Sequence, residues 1–329
     1  MLARRPPPRA RLVPVSAIIG GLTAAVMWAT ATLASSRSSR MIGSRIVLAW
    51  VMIVGTIVGV PLSLISGVPT HLPPGTLPLV VLAGLCYSAG LYVTYKALTI
   101  GKVSIVAPIV ATEGAVGALI AVALGDPLTL VAAILLAVIA VGVVLSSIEP
   151  ARPDVPAGTI ELAADALDGP ARDDARARIA DHAALLVDDA ARTRRTVLFS
   201  VAGALIFGVG LVAAGKSASL IPPIWVATST RFVGLAVVAL PLVLQRRLVL
   251  TRAALPLVVI AGVGEIIGST ASAWGSTYSI PITAVLGSQF AAIAAVAAYF
   301  LFGERLSRTQ VAGVVLIIAG VTALAASSV

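Results

Sequence analysis

"LPLVVLAGL" (Leu77–Leu85) returns almost unchanged as "LPLVVIAGV" (Leu255–Val263), 178 residues later. The same offset carries Gly90 onto Gly268, "GDPLT" (125–129) onto "GERLS" (303–307), and "GV" (142–143) onto "GV" (320–321). Agreement that persists at one spacing through separate stretches marks a duplicated structural unit. The fold is therefore to be sought as one unit written twice.

Composition identifies the solvent of that unit. Apolar residues make up 59% of the chain, charged residues 11%, and the mean hydropathy is +1.05. Soluble domains carry about a quarter charged residues, so most of this surface must face lipid. A single cysteine, Cys86, excludes an internal disulfide, and two distant histidines, His71 and His182, make no metal framework. No cofactor motif is present, and "GxxxxGK[ST]", the phosphate loop of ATP-driven machines, does not occur. The net charge of +9 does not point to nucleic acid, because the basic residues are scattered between apolar runs.

Ten apolar runs are long enough to cross a bilayer as helices: 16–35, 46–66, 76–95, 103–124, 128–148, 197–215, 222–245, 254–274, 280–302 and 309–327. The first follows a basic tail, 1–15, and reads as an uncleaved anchor. Between the fifth and sixth runs lies a charged linker, 149–195, with ten of the fourteen acidic residues. It divides a first repeat, 16–148, from a second, 196–329. Five spans per repeat oblige the second copy to enter the membrane from the opposite side. The expected fold is thus an all-α membrane protein of ten transmembrane helices arranged as two inverted five-helix repeats. Transporters built this way carry their substrate site at the repeat interface, near mid-membrane.

Two longer stretches, "YKALTIGKVSIVAPIVATEGAVGALIAVALGDPLT" (95–129) and "VLGSQFAAIAAVAAYFLFGERLSRTQVAGVVLIIAGVTAL" (285–324), share further tokens. These are Ala97-Leu98 closing the third run, a Ser/Ala-rich fourth run, the Gly-acid-x-Leu-Ser/Thr turn, and a Gly-rich fifth run. "SRIVLA" (44–49) and "TRFVGLA" (230–236) form a matching element in the second run of each half. Together they resemble the EamA-type unit of the drug/metabolite transporter superfamily, over nearly the whole chain apart from the linker. The first turn departs from the pattern at Asp126-Pro127. The resemblance implies a central cavity lined by the third, fourth, eighth and ninth spans, and it is nearly silent on substrate.

Outside the linker only four acids remain: Glu113, Asp126, Glu265 and Glu304. Asp126 and Glu304 occupy equivalent turns, where a carboxylate can cap the following helix at the positive end of its dipole. Glu113 and Glu265 lie near the middle of the fourth and eighth runs. A carboxylate at that depth must be protonated, paired or facing water, which makes it a functional-site candidate. With the resemblance, both acids face one site, with Tyr87 and Gln289 as hydrogen-bonding neighbours. Their functional reading is a proton or cation site, and the alternative is a structural acid bonded to a cation from another span. Arg231 is deep enough either to pair with one of these acids or to clamp a substrate carboxylate. Trp28 and Trp274 are candidates to stack on a substrate ring or to anchor at the membrane interface.

The function expected is secondary transport of a small metabolite or drug-like solute by alternating access, with proton or cation coupling at the buried acids. The alternatives are a non-transporting membrane scaffold or sensor and a membrane-embedded enzyme. "HExxH" is absent, and the only Asp-Asp pairs (173–174 and 188–189) sit in the linker, which argues against enzymes. The partners implied are a small-molecule substrate and the bilayer of a cell (inner or plasma) membrane, with no nucleic acid. The charge bias across the spans favours a cytoplasmic linker, whereas the resemblance implies cytoplasmic termini.

Overall fold

The computed structural model describes residues 9–101, 103–146, 170–290, 292–294, 297 and 308–327. Among these residues there are helices and no strands. In lipid this is the expected economy, since a helix satisfies its own backbone polar groups. The first half contains α1 (Arg9–Ile42), α2 (Ser44–Ile65), α3 (Thr76–Ile100), α4 (Val103–Ala111), α5 (Glu113–Ala123) and α6 (Leu130–Ser146). The second half contains α7 (Pro170–Ala218), α8 (Pro223–Gly234), a π-helical segment (Leu235–Ala239), α9 (Leu240–Leu244), α10 (Leu255–Ser276), α11 (Ile280–Gly287) and α12 (Arg308–Ser327). Six stretches are long and apolar enough to cross a membrane: Val15–Ile42, Ser44–Ile65, Thr76–Ile100, Arg192–Ala218, Pro223–Leu244 and Leu255–Ser276. Shorter apolar helices occupy Ile109–Ala123, Leu130–Gly142 and Ile280–Ala294.

Local chemistry explains several of the helix starts. Pro223, Pro256 and Pro281 each fall in the first turn, where the missing N–H costs nothing. Ser279 caps α11 by accepting from the Ile282 amide at 3.4 Å, and Thr129 does the same for the Ala132 amide ahead of α6 at 3.2 Å. Gly75, with φ 85°, lets the chain turn into α3 through a left-handed conformation.

Helix directions can be read from close contacts. Gly262 lies against Val54 and Gly59 against Ile266, so α2 and α10 run the same way. Ser63 bonds Thr228 while Gly234 meets Met52, so α2 and α8 run oppositely. Gly84 packs on Val233 and Gly234 on Ser88, with Val80 and Val226 in one cluster below, so α3 follows α8. It follows that Leu77–Leu85 on α3 and Leu255–Val263 on α10 point in opposite directions.

The packing keeps the same pattern when the halves are exchanged. α1 packs along α10 as α3 packs along α7, α2 lies on α8, α5 on α11, and α6 on α12. Individual contacts repeat too: Gly142 meets Ile317 and Gly320 meets Ile139, each pair the image of the other. Gly90 seats the Phe207 ring, and its equivalent Gly268 seats Trp28. Small residues at such crossings let helix backbones approach where no hydrophobic drive separates helix from lipid. The outer surface is correspondingly apolar, with Ile57, Leu119, Leu130, Leu198 and Leu205 exposed.

Two runs read from sequence as continuous are broken. The fourth stops at Ala111 and restarts at Glu113, because the Thr112 amide bonds back to Ile109 at 3.2 Å and its hydroxyl takes the same carbonyl at 2.7 Å. The ninth breaks at Ser288 and Gln289, with Gln289 N–H turning to Leu286 at 3.2 Å. The first run is longer than its apolar core: α1 continues through the serine-rich stretch to Ile42. Ser35, Ser36, Ser38 and Ser39 are buried there, and Ser35 donates to the Tyr95 hydroxyl at 3.0 Å. α7 runs unbroken from Pro170, so the junction between linker and second repeat falls inside one helix. Residues 147–148 of the first repeat, residues 149–169 of the linker and the "GERLS" turn with Glu304 lie outside the described residues.

Candidate substrate and ion site

A cavity of about 80 Å³ lies between the halves. α1 contributes Trp28 and Thr32; α3 contributes Tyr87, Thr94 and Tyr95. Glu113 comes from α5, Phe207 from α7, Glu265, Ser269, Ser272 and Ser276 from α10, and Phe290 from beyond α11. Glu113 and Glu265 thus share one space, although they are not equivalent positions of the repeat.

Their surroundings differ. Glu265 is 4% exposed, and its carboxylate accepts a hydrogen bond from the Tyr87 hydroxyl. That pair is itself related by the 178-residue offset, so residues equivalent in the two halves meet each other. Behind Tyr87 sits Arg231, fully buried. Its Nη2 donates to the Tyr87 hydroxyl (2.9 Å), the Glu265 main-chain carbonyl (2.8 Å) and Ser269 Oγ (2.8 Å). Its Nη1 donates to Thr230 Oγ1 at 3.1 Å, and its guanidinium carbon lies 4.2 Å from the Tyr87 ring centroid. Gly55 makes room for this side chain, since a Cβ there would meet Arg231 Nε at 3.0 Å. Arg231 and Glu265 are therefore joined through the Tyr87 hydroxyl, which accepts from the cation and donates to the anion. Such buried charges are stable only when paired and hydrogen-bonded, and here only Nε of the guanidinium is buried without a partner among the described residues.

Glu113 is 5% exposed and lines the cavity, yet no hydrogen bond reaches its carboxylate among the described residues. It stands in the first turn of α5, directly after the break at Thr112. A helix start is the end where the dipole favours a negative charge. The neighbouring Gly114 lets α5 approach the Ala284 carbonyl of α11 and Ser288 just after it, so the acid is set where the two broken apolar runs meet. Two more polar groups have no partner. Trp28 Nε1 and Thr94 Oγ1 are buried without hydrogen bonds, and both residues line the same space.

The remaining candidates fall elsewhere. Gln289 is 2% exposed at the break after α11. Its Nε2 donates to the Val285 carbonyl at 3.0 Å and its Oε1 is unpartnered, but it does not line the cavity. Trp274 faces outward, edge-on to Tyr278 with ring centroids 5.5 Å apart, and is 37% exposed. Asp126 takes Lys216 of α7 as an ion-pair partner, while the cap on α6 comes from Thr129. Sequence reasoning missed Tyr95, Thr94, Phe207 and Phe290. The repeat gave no signal for the ring at 207, since the 178-residue offset maps Trp28 onto Ile206.

Comparison with known proteins bears on both halves. The model of the EamA-like transporter family matches residues 15–148 and 194–326. No curated protein matches significantly. A solved structure described only as "Crystal structure of protein" superposes with a TM-score of 0.67 at 18% identity, covering 94% of this chain and 96% of its own. At that identity the likeness concerns the fold alone. With the family model matched over each half, and apolar helices of membrane length in both, the chain is a multi-pass membrane protein that belongs to the EamA-like transporter family of the drug/metabolite transporter superfamily.

Proposed function

We propose that this protein is a secondary transporter of a small metabolite or drug-like solute, working by alternating access and coupled to protons through Glu113. In this reading it crosses the membrane ten times as two inverted five-helix repeats. α4 with α5 forms the fourth span, and α11 with the residues after it forms the ninth. The packing that survives exchange of the halves supports a pair of units able to rock about a common site. Broken spans that meet at a cavity are the usual construction of such sites, because freed backbone groups and half-helix ends can then serve a ligand.

The observation that carries the proposal is Glu113: a buried carboxylate with no hydrogen-bond partner among the described residues, facing a cavity between the halves. A structural acid at that depth would have a partner, as Glu265 does. An acid kept free is available to take up and release a proton as access changes. The test uses proteoliposomes with a trapped pH dye and an imposed proton gradient, screened against a panel of small metabolites and drug-like solutes. A solute that elicits proton movement in the wild type, and none in Glu113→Gln of equal yield, supports the reading. Solute flux indifferent to the gradient in both proteins removes the coupling. No flux of any panel member leaves the scaffold or sensor reading in possession.

A further inference from the structure

We propose, resting on the transport reading above, that the cavity selects an organic monocation: a protonated or quaternary amine carrying an apolar or aromatic body. Among the described residues that line the cavity, only Glu113 and Glu265 carry charge. Glu265 is already engaged by Tyr87, and through it by Arg231, so that anion is answered from within the protein. Glu113 has no such partner among the described residues, so once its proton leaves the space holds one unanswered negative charge. A buried carboxylate that lacks a cation of its own is the natural counter-charge for a cationic ligand.

The walls agree with that charge. Phe207 and Phe290 line the cavity beside Tyr87, and Trp28 adds the largest ring. Aromatic faces hold ammonium groups and their apolar substituents, and more strongly when water is excluded. Trp28 Nε1, on a side chain that is 9% exposed, has no partner and can donate to an ether, hydroxyl or carbonyl of the ligand.

The same geometry disfavours anions. The one cation at this level, Arg231, spends Nη1 and Nη2 on Thr230, Tyr87, the Glu265 carbonyl and Ser269. It does not line the cavity, so a substrate carboxylate entering there meets two acids and no free base.

The experiment compares three ligands that share a phenyl ring and differ in charge: 2-phenylethylamine, 2-phenylethanol and 3-phenylpropanoate. Binding to the full-length purified protein is measured by calorimetry at neutral pH. The amine is expected to bind at least tenfold tighter than the alcohol, and the carboxylate not to bind. Glu113→Gln should erase the preference for the amine, whereas Phe207→Leu should weaken the amine by a few fold and the alcohol less. Equal affinity for amine and alcohol, or a preference that survives in Glu113→Gln, overturns the proposal. Should Glu113→Gln fail to fold, the charge preference of the wild type decides by itself. Flux of benzyltrimethylammonium, a permanent cation, separates this inference from the one beneath it. Binding of the cation without any flux keeps the ligand class and removes the transport reading. Gradient-driven flux of neutral or zwitterionic solutes with the cation excluded does the reverse.

Discussion

Glu113 and Glu265 line the same cavity and are almost equally buried, yet one has no hydrogen-bond partner among the described residues and the other is held by Tyr87 and, through it, Arg231. The difference lies in the helices that present them. Glu265 belongs to an unbroken helix, α10, whose next turn brings Ser269 beside it and whose neighbours α3 and α8 supply Tyr87 and Arg231. Glu113 opens a helix that has just been interrupted, and it faces serine, alanine and aromatic neighbours with no base among them. Burial alone thus says little about what a membrane carboxylate does. The groups within hydrogen-bond reach divide the structural acid from the available one.

The comparison is broken most forcefully through Arg231. Replacing it with Met strands Glu265 and Tyr87, and loss of one partner from a buried charged pair costs about 3–5 kcal/mol. Arg231→Met should therefore give little monodisperse protein in detergent chromatography, and normal yield would show that the network is not structural. Glu265→Gln removes the charge that answers the guanidinium while keeping a hydrogen-bond acceptor. A drop of about 1.5–3 kcal/mol is expected, read as a lowered detergent melting temperature, since hydrogen bonds involving charge have that range. Tyr87→Phe deletes only the bridging hydroxyl and should cost about 1–3 kcal/mol in the same assay, the desolvation of the groups left unpaired. Were Tyr87→Phe silent, Arg231 and Glu265 would have to find each other directly.

Glu113→Gln sharpens the contrast by its small structural effect. Melting should stay near the wild type, because no hydrogen bond is lost, while proton-driven flux disappears. A variant that melts well below Glu265→Gln would invert the assignment of the two acids. The smallest change is expected for Asp126→Asn, which breaks the half-exposed pair with Lys216, worth about 0–1 kcal/mol. It should alter neither melting nor flux measurably, and a transport defect there would point to a gate at that turn.

Much of this arrangement is legible in the sequence. The duplicated nine residues lead directly to α3 and α10, and the offset even pairs Tyr87 with Glu265, which then meet in the structure. The cost of charge in lipid singles out Glu113, Glu265 and Arg231 before any fold is known. What stays hidden is set by short-range geometry. Nothing in hydropathy announces that Thr112 will spend its hydroxyl on Ile109 and interrupt a run that is apolar on both sides. Nor does hydropathy tell Trp28, which lines the cavity, from Trp274, which faces outward, since both are single rings in apolar helices. The π-helical turn at Leu235–Ala239, just ahead of Pro241, is equally a local matter: a missing proline N–H frees a carbonyl in the preceding turn and the chain relaxes by one residue.

α7 has a mechanical consequence. Its 49 residues contain no glycine or proline between Pro170 and Gly203, so the membrane-embedded part and the charged part form one rod. At 1.5 Å per residue, the stretch before Arg192 extends about 33 Å beyond the span, and a tilt of about 10° at the bundle would sweep its tip by about 6 Å. The rod packs on α3 and α5, the helices that carry Tyr87 and Glu113, and it delivers Phe207 to the cavity. Any tilt of α7 at the bundle would be carried along the rod to its charged end, a natural place for a spectroscopic reporter.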